Sequence, residues 1–364
     1  MYEEAIAAAA AAAPTMIPPA VVVPGLELHV DGDYLAYYAA GNDETTAGES
    51  RLNAINLLDA FRAATGATKI IVHNTAKGCQ KGERYLIATV KPYQGQRDTG
   101  RKPKNHGYLQ DWLMSYEGPL FRTKNWATRE ADDGIAACAH YAVGRNPGYI
   151  AIATADKDLR MLPGLHIDWL KRNLVRVMPG AYDVVGPEIE KIKAGVVIKE
   201  RGKQYGLKFF FMQLLMGDTA DNCPGLPEYR SYNAKSETTY KKLGEKTAYD
   251  LLDDCPDILS AVNQVCDLYF ENYHREQRWA ARRGDGFTEW ADRLAEQAAL
   301  MWMRLDNAAS VSDFATHKGH SRIPWPQEVL AAAQRLEERV KLARQALNHT
   351  GSNDDPLCAD RAAA

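Results

Sequence analysis

The sequence predicts an α/β fold with a mostly parallel sheet, followed by a helical region. Three observations carry this prediction: short apolar segments alternate with helical patterns up to about residue 206, the central segments are apolar on both faces, and later segments have helical periodicity. Predicted strands cover 26–31, 69–73 and 149–154, with short strands near 166–170 and 174–178. Predicted helices cover 50–64, 130–143, 207–216, 244–254, 258–275, 288–305 and 326–348.

The first strand is an alternating segment that stops at Asp31, and Leu52, Ile55, Leu58 and Phe61 give the next segment its helical spacing. The segment 69–73 is apolar throughout its centre, which is typical of an interior strand of a parallel sheet. Alternation of such strands with helices requires crossover connections, so these strands are expected to run parallel.

Composition excludes several classes of protein. The chain has 364 residues, 46% of them hydrophobic and 25% charged, as in ordinary globular proteins. No uninterrupted apolar stretch reaches the length of a membrane span, and Glu3, Glu4 and the prolines after the alanine run do not fit a signal peptide. The six cysteines form no CxxC pair, which favours a reducing cytoplasm.

We expect four regions along the chain. Residues 1–24 form a flexible Ala/Pro-rich tail, 25–206 an α/β core with a basic segment at about 91–106, 207–348 a helical subdomain, and 349–364 a second flexible tail. The pattern of the last helix, with Val329, Ala332, Leu336, Val340 and Leu347 at helical spacing, indicates core or subdomain packing.

Acidic residues follow the predicted strands and helix starts at regular places. The carboxyl ends of parallel strands open on one edge of the sheet, so we expect these acids to converge there. They are Asp31, Glu130, Asp132, Asp133, Asp156, Asp158, Asp218 and Asp221. Eight carboxylates this close require cations, and oxygen ligands favour Mg²⁺ or Mn²⁺ over zinc. Taken singly, each motif also fits a turn or a helix cap.

Six motifs, taken together, resemble the 5′-nuclease family, which includes flap endonucleases, the exonuclease domain of bacterial DNA polymerase I and phage 5′→3′ exonucleases. The phage branch is the most similar, and the resemblance spans roughly residues 26–305. The motifs are Val30-Asp31-Gly-Asp33-Tyr-Leu, Pro92-Tyr93-Gln-Gly-Gln-Arg97, Glu130-Ala-Asp-Asp133, Thr154-Ala-Asp156-Lys-Asp158, Met216-Gly-Asp218-Thr-Ala-Asp221-Asn-Cys-Pro-Gly225 and Leu243-Gly-Glu-Lys246-Thr-Ala248.

The resemblance implies a PIN-like nuclease core, a helical arch over the site, a helix–three-turn–helix motif and two Mg²⁺ or Mn²⁺ ions. By family position, Asp31, Glu130 and Asp132 would serve the first ion. The second would use Asp132, Asp156, Asp158 and Asp221, with Asp133 and Asp218 in the outer shell. All eight are therefore candidate metal residues, and Asp31, Glu130, Asp132, Asp156, Asp158 and Asp221 are the candidate catalytic residues.

The resemblance also implies DNA as the partner, in the form of 5′ ends, flaps or RNA-primed duplex. The protein is expected to be a monomer, with replication proteins as candidate partners and K⁺ as a further ion at the helix–three-turn–helix. Without the charge of the eight acids, the formal net charge of −3 becomes +5, which suits a DNA-binding surface. Candidate DNA-binding residues are Lys91, Tyr93, Arg97, Arg101, Lys102, Lys104, Lys235, Lys241, Lys242 and Lys246.

The chain departs from the family pattern at three places. The stretch 73–76 carries no acid where the family has a metal-binding Asp, Gln94 replaces a catalytic Lys, and about 17 extra residues separate Pro227 from Gly244. His73 or Asn74 as a weak ligand, and Lys91 or Arg97 as a substitute cation, remain open. Three functions follow: a metal-dependent 5′→3′ DNA exonuclease with flap and RNA-primer removal, a weakened relative that binds branched DNA, and an RNA-directed PIN-like ribonuclease. Of the three, the exonuclease is the leading hypothesis.

Overall fold

A mostly parallel six-stranded sheet lies at the centre of the protein. The computed structural model describes residues 21–95, 101–145, 150–193, 196–227, 229–232, 238–274, 290–306 and 308–350. The strand order is β3-β2-β1-β4-β5-β6, and only β6 runs antiparallel to its neighbour. The strands are β1 (Glu27–Asp31), β2 (Lys69–Thr75), β3 (Arg122–Trp126), β4 (Ile150–Ala153), β5 (Gly164–Ile167) and β6 (Leu174–Val177). The predicted α/β fold class is therefore confirmed.

The strand order places a topological switch point beside β1. The chain passes from β1 to β2 and β3 on one side, and then crosses to β4 on the other side. The carboxyl ends of β1 and β4 therefore flank the crevice in which open α/β sheets bind their ligands.

Helices cover both faces of the sheet. One layer packs α1, α2 and α4 against Leu28 and Val30 of β1, and the other packs α5 against Ile150 and Ile152 of β4. A capping box of Thr46 and Glu49 starts α2, and Gly66 (φ 73°) ends it in the left-handed conformation that glycine favours. The helices of this half are α1 (Gly32–Ala39), α2 (Ala47–Thr65), α3 (Arg84–Ile87), α4 (His106–Ser115) and α5 (Ala131–Arg145).

The second half is largely helical, and it shares a continuous hydrophobic cluster with α5 and β4. Its first helix is apolar around most of its circumference and is almost entirely buried in that cluster. The helices are α6 (Leu207–Met216), α7 (Glu245–Leu251), α8 (Ile258–His274), α9 (Trp290–Met301), α10 (Asp313–Thr316) and α11 (Gln327–Thr350). The main predicted helices are confirmed to within a few residues. Among the described helices, none combines the length and apolar character needed to cross a bilayer.

The last helix has the packing role that its periodicity predicts over most of its length. Val329, Ala332, Leu336 and Val340 of α11 are buried in the shared cluster, and Arg335 pairs with Asp292 of α9 at 2.6 Å. The prediction is wrong at Leu347, whose side chain is exposed near the end of the helix. Further along, Arg344 forms an ion pair with Glu83 beside α3. Helix α11 therefore joins the helical half to the α/β half.

Three short antiparallel pairs were not predicted. They are β7 (Val184–Val185) with β10 (Gln204–Tyr205), β8 (Ile189–Lys193) with β9 (Val196–Glu200), and β11 (Tyr229–Tyr232) with β12 (Thr238–Lys241). The prediction of an almost purely helical chain after 206 is wrong at β11–β12, which lies within the extra residues after Pro227. Its strands are rich in Tyr and Thr, which favour a pleated sheet over a helix.

The helical arch expected at 91–106 is not helical over most of its described residues. Residues 91–94 and 101–105 form turns and extended chain, and α4 begins only at His106. The two prolines, Pro92 and Pro103, restrict the residues before them and accept turn hydrogen bonds from Gly95 and His106. Of the predicted tails, 1–20 and 351–364 lie outside the described residues, whereas Val23 is bound to the carbonyl of Gly66 at 2.9 Å.

Candidate active site

Two strand ends and one turn place the first group of carboxylates at the switch point. Asp31 ends β1, and its carboxylate accepts hydrogen bonds from the Tyr34 N–H and the Thr154 hydroxyl, both at 3.0 Å. Beyond β4, the N–H of Asp156 donates to the Thr154 hydroxyl at 2.9 Å, and the N–H of Asp158 donates to the Asp156 carboxylate at 2.9 Å. These local bonds fix the turn that presents both acids.

The turn after α6 brings two further carboxylates to Asp158. Carboxylate oxygens of Asp158, Asp218 and Asp221 lie within 4.8 Å of one another. The turn requires glycine at Gly217 (φ 76°), where an added Cβ would lie 2.5 Å from the carbonyl oxygen of Pro224. Reciprocal backbone bonds of 2.7 Å between Asp218 and Cys223 close this loop.

The start of α5 supplies the remaining acids. Glu130 accepts hydrogen bonds from the Tyr93 hydroxyl at 2.9 Å and the Gln94 amide at 3.1 Å, and it is 3.3 Å from Arg84. Tyr93 also donates to Asp221 at 3.0 Å, so its hydroxyl joins two of the predicted ligands.

Both oxygens of the Asp133 carboxylate accept hydrogen bonds from other parts of the protein. Both of its oxygens accept bonds from the Arg84 guanidinium, at 2.6 and 2.8 Å, and one also accepts the N–H of Arg304 at 2.8 Å. Asp133 is fully buried, and Arg84 lowers the pKa of its carboxyl although burial alone would raise it. Asp133 therefore fixes the start of α5 through its contact with the buried Arg84.

Burial and crowding shift the pKa values of three other carboxyls in the opposite direction. Burial, with help from Asp33, raises the pKa of Asp31 to about 7. Burial also raises the pKa of Asp132 and Asp158 well above the ordinary range, with neighbouring carboxylates adding to the effect. A hard divalent ion bound among these oxygens would favour their ionised form. The donor set, which offers oxygen atoms alone at Asp158, Asp218 and Asp221, fits Mg²⁺ or Mn²⁺.

The two side chains considered as weak ligands are engaged elsewhere. The His73 Nε2 lies 2.9 Å from the Nδ1 of His29, and its Nδ1 accepts a bond from Trp126 at 3.0 Å. The Asn74 amide nitrogen donates to Thr123 at 2.8 Å and to Asn125 at 3.0 Å. Neither contact involves one of the eight carboxylates.

Several residues of the site were missed by sequence reasoning. Asp33 raises the pKa of Asp31 and accepts the Thr75 N–H at the end of β2, at 3.2 Å. Its signal was the repeated acid of the Asp-Gly-Asp motif. Lys157 pairs with Asp218 at 3.0 Å, and Arg84 joins Asp133 to Glu130. Arg84 lay in no motif and gave no signal.

Four of the predicted DNA-binding residues are exposed on the basic segment, whereas the Tyr93 hydroxyl is bound to Glu130 and Asp221. Lys91 and Lys102 are exposed, and Arg101 and Lys104 contact Asp43 across the basic segment, at 2.5 and 3.4 Å. Arg97 and Lys235 lie outside the described residues.

A cavity of about 260 Å³ beside Gly217 is lined by Lys157, Arg160 and Lys242. Lys241 is exposed, and Lys246 pairs with Asp250 at 2.9 Å. Basic side chains therefore lie beside the turn that carries Asp218 and Asp221.

The chain is similar in sequence to a known nuclease. It is 27% identical over 255 residues to the 5′-3′ exonuclease of Buchnera aphidicola subsp. Acyrthosiphon pisum (strain APS), a match that covers 65% of this chain and 73% of the relative. No protein-family model matches.

Two solved structures of a bacteriophage T5 nuclease also align with this chain. One is its flap endonuclease in a complex with DNA and metal ions (14% identity, TM-score 0.46, 86% of this chain and 99% of that one). The other is the same protein co-crystallised with metal ions (14%, 0.43, 86% and 98%). The sequence relative, together with the motifs, confirms that this chain is related to the 5′-nuclease family.

Proposed function

We propose that this protein is a divalent-metal-dependent 5′-nuclease that hydrolyses phosphodiester bonds of DNA from 5′ ends, with flap cleavage and RNA-primer removal as related activities. The observation that carries the proposal is the set of buried carboxylates at the switch point, whose pKa values are raised by burial and by neighbouring carboxylates. The sequence relative named as a 5′-3′ exonuclease supports the same reaction class.

The carboxylates would hold two ions in the sets predicted above, and Asp132 belongs to both sets. When bound, such ions supply an activated water and neutralise charge on the oxygens of the phosphodiester. The protein's own groups position the carboxylates: Thr154 and the Tyr34 N–H orient Asp31, and Tyr93 joins Glu130 to Asp221. Arg84 and Asp133 hold the start of α5 in place.

The basic residues of the 91–106 segment and of the region after Gly217 would bind the phosphates of the substrate. Arg101, Lys102 and Lys104 would guide a single-stranded 5′ end, and Lys241, Lys242 and Lys246 would hold the duplex, with K⁺ as a further ion there. Replacing Arg101, Lys102 and Lys104 by Gln should lower the salt slope of binding to 5′ single strands by roughly 0.7 for each lost contact. Equal slopes for the variant and the wild type would assign this segment to ordinary solvated surface.

One observation favours a second candidate, a branched-DNA binding module that cleaves slowly. The neutral amide of Gln94 occupies the position between Glu130 and Asp221, bound to each at 3.1 Å, where the family pattern has a cation.

Incubation of 5′-labelled duplex with Mg²⁺ or with EDTA separates the two candidates, because only the nuclease releases labelled product with Mg²⁺. Asp156→Asn should abolish that release, whereas Asp59→Asn, on the exposed side of α2, should leave it unchanged. Binding without release in the wild type would establish the second candidate. Release by Asp156→Asn within a few-fold of the wild type would refute the metal assignment.

A further inference from the structure

In the part of the chain that the structure describes, two cations beside the carboxylates of the site are already paired with acids. Arg84 is buried between Asp133 and Glu130, and Lys157 pairs with Asp218. Lys81 differs, because its ammonium donates to a neutral group, the Oε1 of Gln94, at 2.6 Å. Burial raises the pKa of Glu130 overall, whereas the positive charge of Lys81 lowers it. The ammonium of Lys81 therefore lies close to the Glu130 carboxylate.

The chemistry of the neighbouring groups fixes the orientation of the Gln94 amide. Its nitrogen faces Glu130 and Asp221, both at 3.1 Å, and ionised carboxylates only accept hydrogen bonds. The oxygen of the amide must therefore face away from the acids and towards Lys81. The ammonium of Lys81 is consequently separated from the two carboxylates by a single amide group.

The backbone holds Lys81 in this position. The neighbouring residues are tied to the loop before α5, with the Gln80 N–H bound to the Ala127 carbonyl and the Gly82 N–H to the Thr128 carbonyl, both at 2.9 Å. Lys81 (φ 50°) and Gln94 (φ 56°) both adopt the left-handed conformation, which is uncommon for residues with a side chain. Such conformations cost free energy and are concentrated at functional sites.

We propose that Lys81 is a catalytic residue that binds the phosphate undergoing hydrolysis, supplying the charge that position 94 lacks. Lys81 is half-buried at the edge of the carboxylate group, so a phosphate oxygen that enters there can replace the Gln94 oxygen as its acceptor. Both contacts have the Lys81 ammonium as donor, but only a phosphate oxygen also carries negative charge, so the exchange adds an attraction between opposite charges. This inference rests on the proposed function. It assigns the binding of the reacting phosphate to a residue outside the family motifs.

Moving the charge tests the proposal. Lys81→Gln should lower the single-turnover rate by about 100- to 1,000-fold, as expected for the loss of one transition-state contact. The double variant Lys81→Gln/Gln94→Lys restores a cation on the other side of the same contact. Its single-turnover rate should be at least about tenfold higher than that of Lys81→Gln. Lys77→Gln is the matched control, because Lys77 is 80% exposed and pairs with Asp111. It should cleave like the wild type.

Binding gives a second measurement that is independent of cleavage. In EDTA, Lys81→Gln should reduce the salt slope for a 5′-phosphorylated single strand by roughly 0.7, the contribution of one phosphate contact, and the double variant should restore it. A Lys81→Gln rate within threefold of the wild type, an unchanged slope, or a folded double variant as slow as the single one would each overturn the proposal. An inactive wild type would instead refute the proposed function itself.

Discussion

The crowding of carboxylates predicts that Asp31→Asn stabilises the metal-free protein at alkaline pH. The pKa of Asp31 is about 7 in the folded protein, against an ordinary value of 3.8, because of burial and the nearby carboxylates of Asp33 and Asp156. At pH 8 this difference corresponds to a cost on the order of 4 kcal/mol for keeping Asp31 ionised. The asparagine oxygen can still accept the Tyr34 N–H, but the contact with Thr154 changes, so we expect a net gain of about 2 kcal/mol.

The pH dependence distinguishes this effect from a general change in packing. Because the folded carboxyl binds its proton more tightly than the unfolded one, its stabilising effect is complete below pH 3.8 and is lost as the pH rises through about 7. The metal-free wild type should therefore lose stability between about pH 4 and 7, and the variant should lose less. Thermal unfolding in EDTA at pH 5 and pH 8 measures both, with a rise in Tm of roughly 3–5 °C for the variant at pH 8.

Saturating Mg²⁺ should reverse the order of the two proteins. A ligand that binds only the folded state stabilises it, and the wild type retains the full ligand set. Asp59→Asn is the control for a simple change of charge and should follow the wild type under both conditions. If Asp31→Asn is less stable than the wild type in EDTA at pH 8, or has the same pH dependence, the carboxylates are not crowded as the structure indicates.

Three further predictions concern neighbouring residues. Arg84→Met should lower the free energy of unfolding by about 3–5 kcal/mol, because it leaves Asp133 buried without its partner; a loss below about 1 kcal/mol in urea unfolding would contradict this role. Asp132→Ala should abolish Mg²⁺-dependent cleavage while leaving the Tm in EDTA unchanged or higher, since burial raises the pKa of this carboxyl well above its ordinary range; residual cleavage near the wild-type rate would refute its assignment. Ala76→Asp should lower the Mg²⁺ concentration for half-maximal rate, because it adds a carboxylate after β2. If that concentration is unchanged in Ala76→Asp but higher in Asp33→Asn, then Asp33 already supplies the carboxylate.

The strand-end acids could be predicted from the sequence because one physical rule governs them. Parallel strands end on the same edge of a sheet, so acids such as Asp31 and Asp156 need no detailed contacts to be placed near one another. The roles of the acids at the start of α5 were harder to predict. Successive residues of a helix point about 100° apart, so the spacing of Asp132 and Asp133 left open which carboxylate faces the ions and which faces Arg84.

The cations of the site could not be predicted because their contacts are distant in sequence. Arg84 reaches the carbonyls of Leu300 and Trp302, both at 3.0 Å, and nothing near it in the sequence indicates these partners. Lys81 likewise lies outside every motif, and its place beside Gln94 follows only from the path of the chain after β2. The β11–β12 hairpin was missed because an overall helical pattern concealed a short segment of strand-forming residues.

The contacts of Arg84 also bear on how the protein is made. This one guanidinium binds Asp133 at the start of α5 and the carbonyls at the end of α9, so the acidic centre and the helical half support each other. A growing chain that has been synthesised only as far as α6 already contains most of the acids but lacks these carbonyls. Until residue 302 has been synthesised, Arg84 and Asp133 lack some of their hydrogen-bond partners. We therefore expect nuclease activity to appear late in synthesis, when the chain is nearly complete and the carboxylates are fixed in position.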